Sequence, residues 1–186
     1  KQHEKLNAKI VPFAGYLMPV NYDKGISSEY ESVRKSVGMF DVSHMGFISV
    51  EGENSSEFLN YITINNVSKI SSGCAQYSVI CNENGGCVDD IIIYKRDDFS
   101  YFLIVNASNI DKDFEWIVKQ NKYNVDISNY SEKFSILAVQ GPNSRQTLID
   151  AFSINIKNLE FYKFMTCKLF NSEIIISRTG YTGELG

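Results

Sequence analysis

The order of hydrophobic and polar positions predicts a chain that alternates between strands and amphipathic helices. The clearest helix covers residues 109–120, where Ile110, Phe114 and Ile117 recur at helical spacing. Asn-Gly-Gly within residues 82–86 predicts a hairpin turn, because these residues tolerate positive φ. The other elements predicted in the central region are strands over 46–50, 76–81, 87–96, 100–106 and 123–128 and a helix over 54–61. This succession predicts an α+β module with a mainly antiparallel sheet and helices on one face.

The flanking segments are less regular. Before residue 46, the pattern predicts short turns, one helix that begins at Ser27 or Ser28 and ends at Gly38, and a strand over 39–43. Pro142 predicts the first turn of a helix that continues through Phe152. The strands predicted after residue 133 cover 134–140, 163–170 and 172–178. Because no low-complexity linker separates these elements, we expect tightly packed modules.

Composition narrows the possible classes of protein. The 44% hydrophobic and 22% charged content is typical of a globular protein. A net charge of −4 and a pI near 5.2 argue against a nucleic-acid partner. No apolar run approaches the roughly 20 residues of a membrane span, and four cysteines without CxxC spacing predict no metal site. A disulfide between Cys81 and Cys87 and four reduced thiols both remain open.

Two adjacent acids, Asp89 and Asp90, lie inside a predicted strand. Neighbouring residues of a strand point to opposite faces, so one of the two carboxylates must face the apolar side. Aspartate is poorly suited to strand interiors and is costly to bury without partners. The pair is therefore either a polar feature at the base of a hairpin or a carboxylate held for binding or acid–base chemistry.

Two further motifs carry chemically distinctive side chains. Residues 40–46 contain His44, which we interpret as structural because no serine or cysteine nucleophile motif accompanies it. Residues 177–186 hold three glycines but lack the lysine of a phosphate-binding loop. An irregular loop with an aromatic ring, hydroxyls and a carboxylate suits a flat heterocycle, since one carboxylate can accept two N–H hydrogen bonds.

Taken together, these motifs resemble the T-protein family of the glycine cleavage system, the tetrahydrofolate-dependent aminomethyltransferases. Tyr16 stands where the family usually carries tryptophan, and we expect only a change in packing there. The chain ends directly after a matching motif and begins without methionine, so we expect a fragment. The matching runs follow the family's order along the whole chain: residues 13–20, 36–46, 77–79, 81–86, 89–90, 105–107, 140–142 and 177–184.

The resemblance implies a transfer reaction. An aminomethyl group on the lipoyl arm of the carrier H-protein passes its methylene to tetrahydrofolate, which releases ammonia and 5,10-methylenetetrahydrofolate. Asp90 matches the family's key catalytic residue, and Glu184 matches the acid that holds the pterin edge. The positions that match the family's folate-binding cavity are Met45, Tyr77, Asn106, Tyr181 and Glu184.

The resemblance also implies a three-domain cloverleaf fold. A ferredoxin-like middle domain over 46–133 is inserted in a discontinuous first domain over 1–45 plus 134–186, and the C-terminal barrel domain is absent. We therefore expect the fragment alone to be inactive. We further expect a monomer with no nucleic-acid or membrane partner, in the bacterial cytoplasm, or in mitochondria if the source is eukaryotic.

Three alternatives remain open at this point. The first is a related folate-dependent enzyme, such as the folate domain of a dimethylglycine or sarcosine dehydrogenase or a sulfonium demethylase. The second is a non-enzymatic folate-binding factor of iron–sulfur assembly, against which Thr179 and Asp90 argue. The third is an inactive folding unit. The N-terminal runs favour the T-protein family.

Overall fold

The computed structural model describes residues 2–186 as short helices and strands. In chain order they are α1 (Gln2–Lys5), β1 (Lys9–Phe13), β2 (Tyr16–Asn21), α2 (Gly25–Lys35), β3 (Gly38–Asp41), β4 (Gly46–Glu51), α3 (Ser55–Ile62), β5 (Cys74–Cys81), β6 (Cys87–Lys95), β7 (Ser100–Val105), α4 (Ile110–Lys119), β8 (Asp126–Asn129), β9 (Leu137–Gln140), α5 (Ser144–Phe152), β10 (Phe164–Leu169) and β11 (Ser172–Ser177).

The chain divides into two compact units. The first unit comprises Lys1–Val42, Leu137–Leu159 and Arg178–Gly186, and the second comprises Ser43–Ile136 and Glu160–Ser177. The second unit therefore contains the β10–β11 hairpin as well as the central module. The domain division into 46–133 and 1–45 plus 134–186 stays a prediction.

The second unit is built on a five-stranded sheet in the order β5-β6-β7-β4-β8, with every neighbouring pair antiparallel. Alternate side chains of these strands, such as Ile48, Ile91 and Leu103, form one buried core with α3 and α4. Phe58 of α3 and Ile117 of α4 are completely buried in that core. The predicted antiparallel sheet with helices on one face is confirmed.

The opposite face of the sheet is aromatic. Phe102 stacks between Phe47 and Tyr94, with ring centroids 4.9 and 4.4 Å away. Phe164 of β10 meets Tyr94 and Phe102 edge-on at 5.4 and 5.6 Å. Offset and edge-on contacts of this kind add to the free energy gained by burial. The β10–β11 hairpin therefore covers part of the face that the helices leave open.

The strand directions follow the predicted antiparallel sheet. Strand β4 pairs antiparallel with β7, from Gly46↔Val105 to Glu51↔Ser100. After α3, residues 63–73 cross the sheet once more and include the short 3-10 helix Val67–Lys69, so β5 starts at the end of the sheet where β4 finished. Strand β5 is therefore an edge strand beside β6. The ferredoxin-like assignment of the middle domain stays a prediction.

The first unit contains a hairpin that the sequence pattern did not predict. Strands β1 and β2 pair antiparallel around Ala14 and Gly15, both with positive φ. Each strand contains a proline, Pro12 and Pro19, which is usual only at sheet edges, and the interpretation of this segment as turns was wrong. Strand β3 pairs with β9, which places the predicted strand over 134–140 beside the one over 39–43.

The predicted helix starts shift by a few residues. Helix α2 begins at Gly25 without a side-chain cap, so Ser27 and Ser28 lie inside it rather than at its start. Helix α5 begins at Ser144, two residues after Pro142. The cysteines are free thiols, although Cys81 and Cys87 oppose each other across β5 and β6. Across residues 2–186, none of the helices has both the length and the apolar character that crossing a bilayer requires.

Candidate active site

The candidate catalytic residues lie at one end of the strands of the five-stranded sheet. Asp89 and Asp90 are near the start of β6, and Asn106 directly follows β7. Met45 directly precedes β4, whose first residue pairs with the last residue of β7. Antiparallel pairing thus brings residues that are far apart in sequence to the same end of the sheet.

The two aspartates have opposite environments, as the strand alternation predicted. Asp89 is 7% exposed and shares the helix-covered face with Ile91. Asp90 is exposed and lies on the aromatic face of the sheet, on the same side as Ile92 and Tyr94. Only Asp90 can therefore meet a molecule that approaches from solvent.

Asn106 joins the two carboxylates through its amide nitrogen. Its Nδ2 lies 3.0 Å from Asp89 Oδ1, 3.2 Å from Asp90 Oδ1 and 3.2 Å from the Asp90 carbonyl oxygen. Ionised carboxylates only accept hydrogen bonds, so the amide presents its nitrogen to both of them. The side chain of Asn106 thereby fixes the position of Asp90 relative to the buried Asp89.

Tyr77 lies beside Asp90 on the neighbouring strand. Asp90 pairs with Val79, and Tyr77 is two residues earlier on the same face of β5, a diagonal cross-strand position. The negative charge of Asp90, followed by burial and a hydrogen bond to the same carboxylate, raises the pKa of Tyr77. The phenol therefore stays neutral and donates its hydroxyl hydrogen. Asp90 is thus flanked by two hydrogen-bond donors and remains open to solvent.

Sequence reasoning missed one member of this cluster, Asp113 on α4. Its side chain is completely buried, and burial raises its pKa to about 8, assisted by the hydrogen bond and the charge of Asp89. Burial also raises the pKa of Asp89, but hydrogen bonds from Asp113, Asn106 and Asn109 outweigh it, so that pKa lies below its usual value. The sequence contained one signal for Asp113: it lies on the apolar stripe of the helix, three residues after Ile110 and next to Phe114.

The other two predicted site residues lie in the last loop of the first unit. The backbone N–H of Tyr181 donates to Gln140 Oε1 at 3.0 Å, and the Thr182 hydroxyl donates to the same oxygen at 3.2 Å. Gln140 is only 3% exposed, so it anchors the loop from within the unit. The ring of Tyr181 is exposed and contacts Phe40 edge-on at 6.0 Å.

Glu184 has a partner within this chain. The Arg34 guanidinium donates to Glu184 Oε1 at 2.9 Å and also lies 5.2 Å from the ring centroid of Tyr30. The hydrogen bond to Glu184, followed by one to Tyr30, raises the pKa of Arg34. The carboxylate of Glu184 is half-buried and oriented by an arginine that the sequence reasoning did not single out.

The structure thus brings Asp90, Tyr77 and Asn106 into one cluster of the second unit, with Met45 at the same end of the sheet. Tyr181 and Glu184 share one loop of the first unit. The chemical capacity of the cluster is that of a fixed carboxylate beside an aromatic face. Such a group can accept an N–H hydrogen bond and stabilise a developing positive charge.

Comparisons with known proteins identify the family of the chain. The family model described as the GCVT N-terminal domain matches residues 1–186. Two proteins named aminomethyltransferase, from Flavobacterium psychrophilum and Thermotoga neapolitana, are 47% and 44% identical to this chain over 99% and 100% of its length. The matched region is 51% of each relative. The chain therefore spans about half the length of the curated relatives it matches.

Solved structures give the same result. The glycine cleavage system aminomethyltransferase T from Bartonella henselae superposes with a TM-score of 0.91 at 33% identity, over 99% of this chain and 50% of that one. A heterotetrameric sarcosine oxidase from Corynebacterium shares the fold alone, with a TM-score of 0.58 at 11% identity over 83% of this chain and 77% of that one. The chain belongs to the GCVT N-terminal domain family, and its mixed α/β fold is that of the aminomethyltransferases.

Proposed function

We propose that the protein is a tetrahydrofolate-dependent aminomethyltransferase of glycine cleavage. It takes the methylene of an aminomethyl group on a lipoylated H-protein, transfers it to tetrahydrofolate and releases ammonia and 5,10-methylenetetrahydrofolate. The family match and the names of relatives more than 40% identical support this assignment. The lipoylated H-protein is the proposed partner, and the proposed fold is the cloverleaf of the family.

The observation that carries the proposal is the solvent-exposed Asp90 carboxylate held by Asn106 and Tyr77. Tetrahydrofolate supplies the nitrogen that accepts the one-carbon unit. Asp90 can accept an N–H hydrogen bond at the reacting end of this substrate and stabilise positive charge on the departing amine. Because its two donors are already in place, little reorganisation is needed when the reaction begins.

We assign folate binding to the side chains that match the family's cavity. Tyr77 and Tyr181 offer exposed aromatic rings, and Asn106 offers an amide. Glu184 accepts N–H groups of the pterin edge with a carboxylate that Arg34 orients. Met45 contributes an apolar side chain at the same end of the sheet as Asp90 and Asn106. The proposed location is the bacterial cytoplasm, or the mitochondrion if the source is eukaryotic.

The test is an ammonia-release assay on the gene product that contains these residues. With tetrahydrofolate and aminomethylated carrier protein, Asp90→Asn is expected to lower kcat by about 100-fold or more, because it removes a charge from the reacting site. The folate dissociation constant should change by a modest factor. Asp111→Asn, which neutralises an exposed acid of α4, is the matched control and should behave as wild type.

Two outcomes would contradict the proposal. Wild-type turnover by the Asp90→Asn variant would remove Asp90 from the mechanism. Methylenetetrahydrofolate formed from sarcosine or dimethylglycine, with no ammonia released from the carrier protein, would assign the related demethylating class instead.

A further inference from the structure

The hydrogen-bonding capacity of the buried Asp113 carboxyl is unsatisfied among the described residues. Its side chain is completely inaccessible to solvent, and neither of its oxygens lies within hydrogen-bond distance of a donor group among the described residues. The same holds for Oδ2 of Asp89, whose side chain is 7% exposed. A buried acceptor without a donor costs about 1–3 kcal/mol, and more when it is charged. Because Asp89 and Asp113 are neighbours, a proton shared between their carboxyls would provide the missing hydrogen bond.

The described groups around the two carboxyls do not provide Asp113 with a hydrogen-bond donor. Lys112 Nζ lies 3.7 Å from Asp113 Oδ1, an ion-pair distance rather than a hydrogen bond, and donates to the Val88 carbonyl at 2.7 Å. Asn106 and Asn109 donate to Asp89, as does the backbone of Asp90. Every donor other than Lys112 is therefore directed at Asp89 rather than at Asp113.

This asymmetry decides which carboxyl carries the proton. Asp89 receives several donors that favour its ionised form, and its pKa is lowered despite burial. Asp113 is more deeply buried, and desolvation followed by the neighbouring Asp89 raises its pKa to about 8. A protonated Asp113 donates O–H to Asp89 Oδ2 and converts a repulsion between two carboxylates into a charge-assisted hydrogen bond.

We infer that Asp113 is a positioning residue of the site: it holds a proton shared with Asp89 and thereby fixes the chain of contacts from Asp113 through Asp89 and Asn106 to Asp90. In this chain Asp113 donates to Asp89 Oδ2, Asp89 Oδ1 accepts from Asn106, and the Asn106 amide also donates to Asp90 Oδ1. Loss of the proton would place two negative charges in contact behind Asn106. The catalytic consequence rests on the proposed function, whereas the shared proton does not.

The proton itself is tested by the carboxyl ¹³C resonances of the wild-type chain between pH 4 and pH 10. We expect one aspartate carboxyl to titrate near pH 8, and its resonance to be the one lost in Asp113→Asn. Titration of every aspartate carboxyl below pH 5 would overturn the inference. This measurement requires no variant for its main result, so a variant that does not fold cannot obscure it.

Stability against pH provides a second test. The folded-state pKa of Asp113 is raised, so its contribution to stability is complete below pH about 4 and is lost as the pH rises through about 8. Asp113→Asn donates an N–H to Asp89 without titrating, and we expect it to abolish this pH-dependent loss. Asp111→Asn should retain it. Identical pH dependence in wild type and Asp113→Asn would contradict the shared proton.

The positioning role is tested by turnover of the gene product. Asp113→Leu keeps the branched shape of the side chain but removes the donor, and we expect at least tenfold lower kcat than in Asp113→Asn, with the folate dissociation constant changed far less. The wild-type loss of kcat with an apparent pKa near 8 should be absent in Asp113→Asn. Equal kcat in the two variants would overturn the role. Absence of turnover in wild type, together with a carboxyl titrating near pH 8, would refute the proposed function but not the shared proton.

Discussion

The amide of Asn106 is the group that links the buried carboxylate to the exposed one. Asn106→Ala removes the donor to both Asp89 Oδ1 and Asp90 Oδ1. We expect it to lower the free energy of unfolding by about 1–3 kcal/mol, because a buried, ionised acceptor loses a partner. Urea unfolding measures this loss.

The matched control for this variant is Asn84→Ala in the exposed β5–β6 turn, which should change the unfolding free energy by less than about 0.5 kcal/mol. In the ammonia-release assay, Asn106→Ala should also lower kcat, since Asp90 loses its orientation. An Asn106→Ala variant as stable and as active as wild type would show that the amide contributes nothing to either carboxylate.

Sequence reasoning reached part of this residue-level picture. The twofold alternation of strands was sufficient to place Asp89 and Asp90 on opposite faces, and the exposed acid is the one that the family resemblance selected. The role of Asp113 was not predictable in the same way, because it depends on a contact with Asp89 across 24 residues of sequence. Helical periodicity places residue 113 on the apolar face but does not reveal what it meets there. Arg34 beside Glu184 was missed for the same reason.

At the level of elements, β4 has no room for a side chain at Gly46, beside β7 and α4. A Cβ at this position would lie 2.5 Å from Val105 Cγ2 and 2.7 Å from Ile110 Cγ1. We therefore expect Gly46→Ala to destabilise the protein by about 1–3 kcal/mol, as is typical of overpacking. Denaturant unfolding measures the effect. Gly46 is next to Met45 in the sequence, and Val105 is next to Asn106, so we also expect a loss of turnover.

A double variant separates this steric cause from others. Adding Val105→Ala removes the nearer methyl contact, so the double variant should lose less stability than the sum of the two single variants. Strict additivity would indicate that the cost of Gly46→Ala arises elsewhere.

Elements with strong periodicity or clear turn residues were predictable to within a few residues, as for β4, α3 and the β5–β6 hairpin around residues 82–86. The β1–β2 hairpin was not, because its strands carry prolines and its turn is Ala-Gly rather than Asn-Gly. The order of elements was enough to predict a mainly antiparallel sheet, which the structure confirms. The extra crossing through residues 63–73 was not predictable, since this connection contains no regular strand.

For the whole molecule, the two compact units differ in how much apolar surface they bury. Among the described residues, the buried hydrophobic side chains of the first unit are Val33, Val42 and Ile156, while all the others belong to the second. Large exposed apolar side chains such as Leu17 and Met39 belong to the first unit. Since burial of apolar surface is the main source of stability, the second unit should be the more stable one.

Native-state hydrogen exchange of this chain tests that difference. Regions with few buried contacts open locally at lower free energy than core strands, so amides of β1 and β2 should exchange long before those of β4 and β7. Ile48 and Leu103, completely buried, should be among the slowest. A denaturant series distinguishes local from global opening, because only global opening depends steeply on urea. Equal protection of both units would show that they open as one cooperative unit and that the distribution of buried apolar surface does not set their local stability.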